Sequence, residues 1–267
     1  MDEYGAPPAT TRTVTRRQLR RRRQQASVVG VIGELLLTAG VLVFLFLGWQ
    51  LWLNDLIVGD QHRKEAADLG QEWALEDWNK GNAPTRDEPV VPVDYGVPII
   101  PATVAEAKQF AIMYVPRFGG DYQRTISEGI SEKLVLDTKG IGRYPDTQQP
   151  GEPGNFALAA HRTTYGKPFA DIGELRVGDK IIIRTPEAYY VYAFRNMEYV
   201  WPSAVDVLNP IPREDTVEAI DRIITLTSCN PRYSRAERII AYGVIESWQP
   251  AEAGPPAEIA HLVNPEN

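Results

Sequence analysis

From Val28 to Leu53 the chain is almost wholly apolar, with Glu34 its one charge. Leu35 to Leu53 alone supplies about the twenty residues that a helix needs to cross a bilayer. Lipid offers no partners for backbone N–H and C=O groups, so a run like this is expected to be helical. Glu34 lies near its start, within reach of the headgroup layer, and Trp49 and Trp52 mark the opposite interface. Before Val28, seven arginines (Arg12, Arg16, Arg17, Arg20, Arg21, Arg22 and Arg23) stand against Asp2 and Glu3, which predicts a cytoplasmic N-terminus by the positive-inside rule. Everything after Asn54 is then extracellular. A cleavable signal peptide is the rival reading, but the run continues into Trp49-Gln50-Leu51-Trp52-Leu53 where a small-x-small cleavage site would be needed. A buried core helix is disfavoured because the run has no polar face.

This anchor divides the 267 residues. Residues 1–27 are rich in Arg, Gln, Thr and Pro and cannot bury enough surface to offset the entropy of ordering, so a cytoplasmic basic tail is expected there. Residues 28–53 are the transmembrane helix. Residues 54–102 read as an extracellular stalk: a short amphipathic helix within 55–80, then an extended stretch stiffened by Pro84, Pro89, Pro92, Pro98 and Pro101. Residues 103–249 have the texture of an all-β domain, with candidate strands at Phe110–Val115, Thr125–Ile130, Asn155–Ala160, Lys180–Arg184, Tyr189–Val200, Arg222–Thr227 and Ile239–Trp248. Seven or eight strands at that spacing predict a closed or nearly closed barrel, with short helical pieces in 131–136 and 168–175. The tail, 250–267, is rich in Pro, Ala and Glu and is expected to be disordered.

Charge excludes one class of function. The net charge is −7 and the first 27 residues carry +5, so the remainder carries −12, which argues against a nucleic-acid-binding body.

Cys229 is the only cysteine, and it sits at the end of the run Ile223-Ile224-Thr225-Leu226-Thr227-Ser228. Extracellular domains spend cysteines in pairs as disulfides. A single one leaves three readings: an inert buried thiol, an intermolecular bridge, or a reactive nucleophile. Of the three histidines, His62 falls in the stalk helix, His261 in the tail, and His161 directly after the candidate strand Asn155–Ala160. An imidazole partner for Cys229 inside the domain must therefore be His161. Such a partner can hold the thiolate and return a proton to a leaving amine. The oxyanion formed when a thiolate attacks a carbonyl wants a fixed donor. Arg232, Arg235 and Arg238 all follow the cysteine, and spacing does not choose among them. Zinc is disfavoured because one cysteine and one domain histidine leave carboxylates to do most of the binding. No Gly-rich phosphate loop is present, Phe118-Gly119-Gly120-Asp121 reads as a hairpin turn, and no spacing singles out a carboxylate pair. No cofactor is expected.

The ordered set Ile141-Gly142-Arg143-Tyr144-Pro145, Pro150-Gly151-Glu152-Pro153-Gly154-Asn155-Phe156, His161-Arg162-Thr163-Thr164-Tyr165-Gly166, Val205-Asp206-Val207-Leu208 and Thr225-Leu226-Thr227-Ser228-Cys229 resembles the sortases, and among them the class E sortases of actinobacteria. The resemblance covers roughly residues 105 to 248. It implies a closed eight-stranded β-barrel tethered by an N-terminal membrane helix. It further implies Cys229 as nucleophile, His161 as general acid and base, and Arg238 as the substrate and oxyanion stabiliser. The implied reaction is transpeptidation. A C-terminal sorting signal like Leu-Pro-x-Thr-Gly or Leu-Ala-x-Thr-Gly is cleaved after threonine, and the secreted protein passes through a thioacyl enzyme to the amine of a peptidoglycan precursor or a pilin lysine. Two positions depart from the pattern, Arg143 and Asn230, where relatives often have histidine. Two other readings compete: a thiol peptidase that uses water as acceptor, and a non-enzymatic anchored β-domain binding wall or pilus components. Papain-like folds are disfavoured, since they place cysteine before histidine and here His161 comes 68 positions earlier.

Overall fold

The computed structural model describes residues 27–49, 53–79, 94–215 and 218–263. Residues 1–26 of the expected tail, Trp52, the proline-rich segment 80–93 and the last four residues lie outside the described residues. By its contacts the chain divides into a unit ending at Phe46 and a second from Leu47 to Asn267. The first holds nearly all of helix α1 (Val28–Gly48), whose 21 residues are all exposed and are long and apolar enough to cross a membrane.

The second unit is built on a closed barrel of strands β1 (Gln109–Tyr114), β2 (Gln123–Glu128), β3 (Ile141–Arg143), β4 (Gly154–Ala160), β5 (Lys180–Arg184), β6 (Ala188–Val200), β7 (Arg222–Asn230) and β8 (Glu237–Pro250). Around the barrel the order is β1-β2-β3-β4-β7-β8-β6-β5. The pairs β2·β3 and β4·β7 are parallel and all the others antiparallel. Closure gives each described strand a hydrogen-bonded neighbour on both sides. Alternation along each strand sends Phe156, Leu158 and Ala160 of β4, Ile224 and Leu226 of β7, and Ile239 and Ala241 of β8 into the main core. The odd-numbered residues of β4 and β7 and the even-numbered ones of β8 therefore form the outer face of that sheet.

Seven strands fall where the sequence pattern puts them. The eighth, β3, is three residues long and centred on Gly142, too short to show alternation. Its glycine is required: a Cβ there would lie 2.2 Å from the Gly129 carbonyl oxygen and 2.9 Å from Val135. The segments at 131–136 and 168–175 do contain helical turns, Glu132–Leu136 and Ile172–Glu174.

The expected stalk is different. Helix α2 (Asn54–Asn79) lies on the barrel, burying Asp55, His62, Ala66 and Trp73 along one face. Small residues permit the close approach: Gly70 brings its carbonyl within 2.8 Å of the Arg184 guanidinium, which is also sandwiched between the rings of Trp73 and Tyr189 at 5.6 and 5.5 Å. Further along, Tyr190 donates to the Ile99 carbonyl at 2.6 Å and Trp248 to that of Gly96 at 2.8 Å, so residues 96–99 also run along the barrel.

The expectation of a disordered tail is likewise corrected for residues 251–263. Two 3-10 turns and the short helix α3 (Ala260–Val263) join α2 over the outer face of β1, β5 and β6. Ile259 is only 1% exposed and Val263 is buried beside Ala66 and Trp73. The Pro, Ala and Glu content of the tail obscured three aliphatic anchors, Ile259, Leu262 and Val263, spaced to lie on one helical face. Replacing Ile259 by Ala should cost about 2–5 kcal/mol of unfolding free energy. Urea denaturation of the full chain in detergent, followed by tryptophan fluorescence, checks this; a free tail would give no change.

Candidate active site

Cys229 is the last outward-facing residue of β7 before the turn to β8, and its cross-strand partner in the antiparallel β7·β8 ladder is Arg238. Paired Cα atoms in such a ladder lie about 4.5–5.5 Å apart. On the other side β7 runs parallel to β4, with Ala159 beside Thr227. The last pair of that ladder is Ala159 with Thr227; past it, the Ser228 hydroxyl on the Ala160 carbonyl at 2.7 Å and the Arg162 guanidinium 3.3 Å from the Cys229 carbonyl hold the segment that carries His161 beside the end of β7. Cys229 and Arg238 thus stand paired on the outer face, with His161 one residue past the end of the neighbouring strand β4. Cys229 is a free thiol, half-buried.

The competing arginines are engaged elsewhere. Arg232 donates to the Ala170 carbonyl at 2.7 Å and lies 3.5 Å from Asp171. Arg235 reaches toward Glu132 at 3.8 Å. Arg238 places one terminal nitrogen on the carbonyls of Glu237 and Arg235, at 2.9 and 3.2 Å. Its other N–H groups have no hydrogen bond among the described residues, so the guanidinium is held at one end while donors remain at the other.

His161 is oriented by Asp137, whose carboxylate accepts from Nε2 at 2.8 Å. That bond leaves Nδ1 as the basic nitrogen. The ring lies beside Tyr165, centroids 5.0 Å apart, and the His161 carbonyl accepts from the Phe169 N–H at 3.0 Å. Asp137 comes 24 residues before His161, in the turn after Glu132–Leu136. Nothing in the sequence marked it, because carboxylates are plentiful and no regular spacing links this one to the histidine.

Two polar ties lock β4 to β7 at this end. Ser228 Oγ donates to the Ala160 carbonyl at 2.7 Å. Arg162 donates to the Asn230 side-chain oxygen at 2.5 Å and to the Cys229 carbonyl at 3.3 Å, and burial pulls its guanidinium below the usual arginine range. Asn230 in turn donates to Glu237 across the ladder at 2.7 Å. Arg143, the other departure from the pattern, is buried in a two-pronged ion pair with Glu128 at 2.7 and 2.8 Å. Both departures are thus absorbed into internal bonding.

Below the strand ends the outer face continues as a polar floor. Tyr144 and Thr227 share a hydrogen bond of 3.0 Å, with burial pushing the Tyr144 phenol up. Thr225 donates to Asn155 at 2.6 Å, and Asn155 donates to the carbonyls of Val207 and Asn209, both at 3.0 Å. The turn Val205–Leu208 in the β6–β7 connection packs over this face through Val207, against Ile240 and Tyr242. Among the described residues no three His, Cys, Asp or Glu side chains group as metal ligands.

A barrel whose adjacent strand ends bring cysteine, histidine and arginine together has the layout of a thiol acyl-transfer enzyme. Comparison with known proteins specifies it. The family model for the sortase domain matches residues 113–246. Sortase SrtE1 of Streptomyces coelicolor is 35% identical over 260 residues, 94% of this chain and 67% of that protein. Among solved structures, the SrtA sortase from Actinomyces oris superposes with a TM-score of 0.58 at 32% identity, covering 62% of this chain and 94% of that one. Sortase E1 from Streptomyces coelicolor, solved with a tripeptide in the active site, gives 0.54 at 35% identity, covering 57% and 97%. The chain belongs to the sortase family of cysteine transpeptidases, and its likeness runs to class E members.

Because Asp137 touches only the far nitrogen of His161, Asp137→Ala should lower turnover of a peptide substrate by roughly tenfold, less than the about 10²–10⁴ expected for loss of an acid–base group itself. Steady-state kinetics should show the loss in kcat, with KM nearly unchanged.

Proposed function

We propose that this protein is a membrane-anchored sortase that cleaves a sorting signal like Leu-Pro-x-Thr-Gly or Leu-Ala-x-Thr-Gly between threonine and glycine and joins the new carboxyl end to an amine. The reading is supported by the pairing of Cys229 with Arg238 and by the bonds that hold the end of β4, just before His161, against the end of β7. The tripeptide held in the active site of the Streptomyces coelicolor relative supports a peptide as ligand for the corresponding face.

The Cys229 thiolate attacks the threonine carbonyl carbon, and the oxyanion that forms takes hydrogen bonds from the free N–H groups of Arg238. The intermediate collapses as the C–N bond breaks, and imidazolium His161 gives its proton to the departing glycine amine. A thioester on Cys229 remains. An incoming amine, from a peptidoglycan precursor or a pilin lysine, attacks the thioester carbonyl, loses a proton to His161 and expels the thiolate. Asp137 keeps the imidazole in the tautomer that both proton transfers require.

The surrounding chain suits substrates tethered outside the cell. Residues 1–27 are the cytoplasmic tail, 28–53 cross the cell membrane once, and the chain from Asn54 onward is extracellular, with the catalytic barrel of 103–249 carrying α2 and residues 251–263 on its outer face. Support comes from the apolar length of α1 and the arginines preceding it.

Incubating the purified chain with a sorting-signal peptide should give a Cys229-linked acyl species by mass spectrometry, carrying the peptide up to threonine. Added amine should divert the product from acid to amide. Cys229→Ala should abolish cleavage, and the native wild-type thiol should label with iodoacetamide. Cleavage that persists in Cys229→Ala would remove Cys229 as the nucleophile, no cleavage by the wild type would remove the enzyme reading, and release of acid alone at saturating amine would make the protein a hydrolase.

A further inference from the structure

Helix α2 contacts the two loops that carry the acid–base pair. The first, residues 138–140, directly follows Asp137. The second, residues 165–168, follows His161 by a few residues. His62 is wedged between them and is only 1% exposed. Its Nε2 lies 3.2 Å from the Thr138 carbonyl oxygen, and its buried Nδ1 has no hydrogen-bond partner among the described residues.

The packing around this ring is too close to admit other side chains. A Cβ on Gly140 (φ +95) would lie 3.0 Å from His62 Nδ1, and one on Gly166 (φ +77) would lie 3.1 Å from it. The same Gly166 Cβ would stand 3.0 Å from the backbone nitrogen of Gly59, so helix and loop meet backbone to backbone through two glycines. Nearer the start of α2, Asp55 closes the contact with an ion pair to Lys167 at 3.1 Å, its carboxylate almost fully buried.

His62 faces Glu65 on its own helix, Arg124 from β2 and Lys139 from the loop. Burial is the dominant influence and holds the imidazole below its ordinary value of 6.5. The ring is therefore neutral at pH 7, and the contact with Thr138 requires the proton on Nε2, where the carbonyl accepts it.

We infer that His62 is a positioning residue for the reaction. By holding the Thr138 carbonyl one residue beyond Asp137 while packing against Gly166, it fixes the Asp137–His161 hydrogen bond, so α2 belongs to the active site's supporting shell. The turn needs such a tie. Asp137 is anchored locally by its N–H on the Glu132 carbonyl at 2.8 Å, but its side chain and the His161 ring are both partly exposed, at 26% and 16%. A shift of about 1 Å in either loop would break a 2.8 Å bond to the imidazole.

The inference rests on the proposed role of His161, and its test separates the two. In the full chain in detergent, His62→Leu fills the same volume without a donor, whereas His62→Gln keeps an N–H for the Thr138 carbonyl. For a sorting-signal peptide, kcat should fall about tenfold in His62→Leu with KM changed less than twofold, and His62→Gln should recover most of it. Cys229 is the only thiol, so its iodoacetamide labelling rate against pH reports on the imidazole without any substrate. That profile should move in His62→Leu toward that of His161→Ala and stay near wild type in His62→Gln. Asp55→Asn, a milder loosening of the same contact, should move it in the same direction and serves if His62→Leu does not fold.

A folded His62→Leu or Asp55→Asn with wild-type kcat and labelling profile would overturn the inference. So would losses in both His62 variants that track only the folded fraction. If the wild type cleaves no sorting-signal peptide the proposed function fails, and the labelling profiles still decide the role of His62.

Discussion

The hydrogen-bonded register of β7, between β4 on one side and β8 on the other, is the constraint on which the site depends. His161, far from Cys229 and Arg238 in sequence, comes near them because β4 runs beside β7 as far as Ala159 and Thr227, while Cys229 stands opposite Arg238 across the β7–β8 ladder. A slip of one residue in β7 would turn Cys229 toward the core and bring Ile224 and Leu226 out to solvent. The apolar residues buried inside the barrel therefore also specify the outward aim of the sulfur. Stability and catalytic geometry here are two readings of a single alternation.

Polar bonding at the same end makes that register unique. Ser228 on the Ala160 carbonyl and Arg162 across to Asn230 act at the positions next to His161 and Cys229, where the strands are leaving the sheet and ladder bonds run out. On the other side of β4, Arg143 has a comparable role. Its buried ion pair with Glu128 joins β3 to β2 at a point where β3 contributes only three residues. Removing one partner of such a pair strands a buried charge, at a cost of about 3–5 kcal/mol. Arg143 and Asn230 are thus tied to internal partners, Glu128 for the former, Arg162 and Glu237 for the latter.

How much of this was legible in the chain depends on the range of the physics involved. Strand alternation is local, and seven strands could be read directly, as could the apolar helix and the cysteine at a strand end. The order of strands around the barrel is not local. Spacing therefore left Arg232, Arg235 and Arg238 level, and only the resemblance to a family separated them before register did. Asp137 was invisible for the same reason: a carboxylate's task is set by the loop that presents it, and that loop is placed by α2. The two misread segments, stalk and tail, share a cause. Composition averages over residues, while docking is decided by a few: Ala66, Gly70 and Trp73 in the stalk, Ile259, Leu262 and Val263 in the tail.

The site also divides its residues by rigidity. Cys229 and Arg238 are direct partners in the β7–β8 ladder, which fixes the spacing between them. His161 and Asp137 stand just past strand and helical ends, on loops whose own hydrogen bonds are short-range turns. In the proposed mechanism His161 first protonates a leaving amine and then deprotonates an incoming one, two transfers that tolerate small adjustments of its loop. Loops allow such freedom, but unrestrained loops lose the alignment on which proton transfer depends. Packing a helix against both loops through glycines and one neutral imidazole meets that demand: backbone contact restrains the two loops as a pair and so holds the Asp137–His161 hydrogen bond.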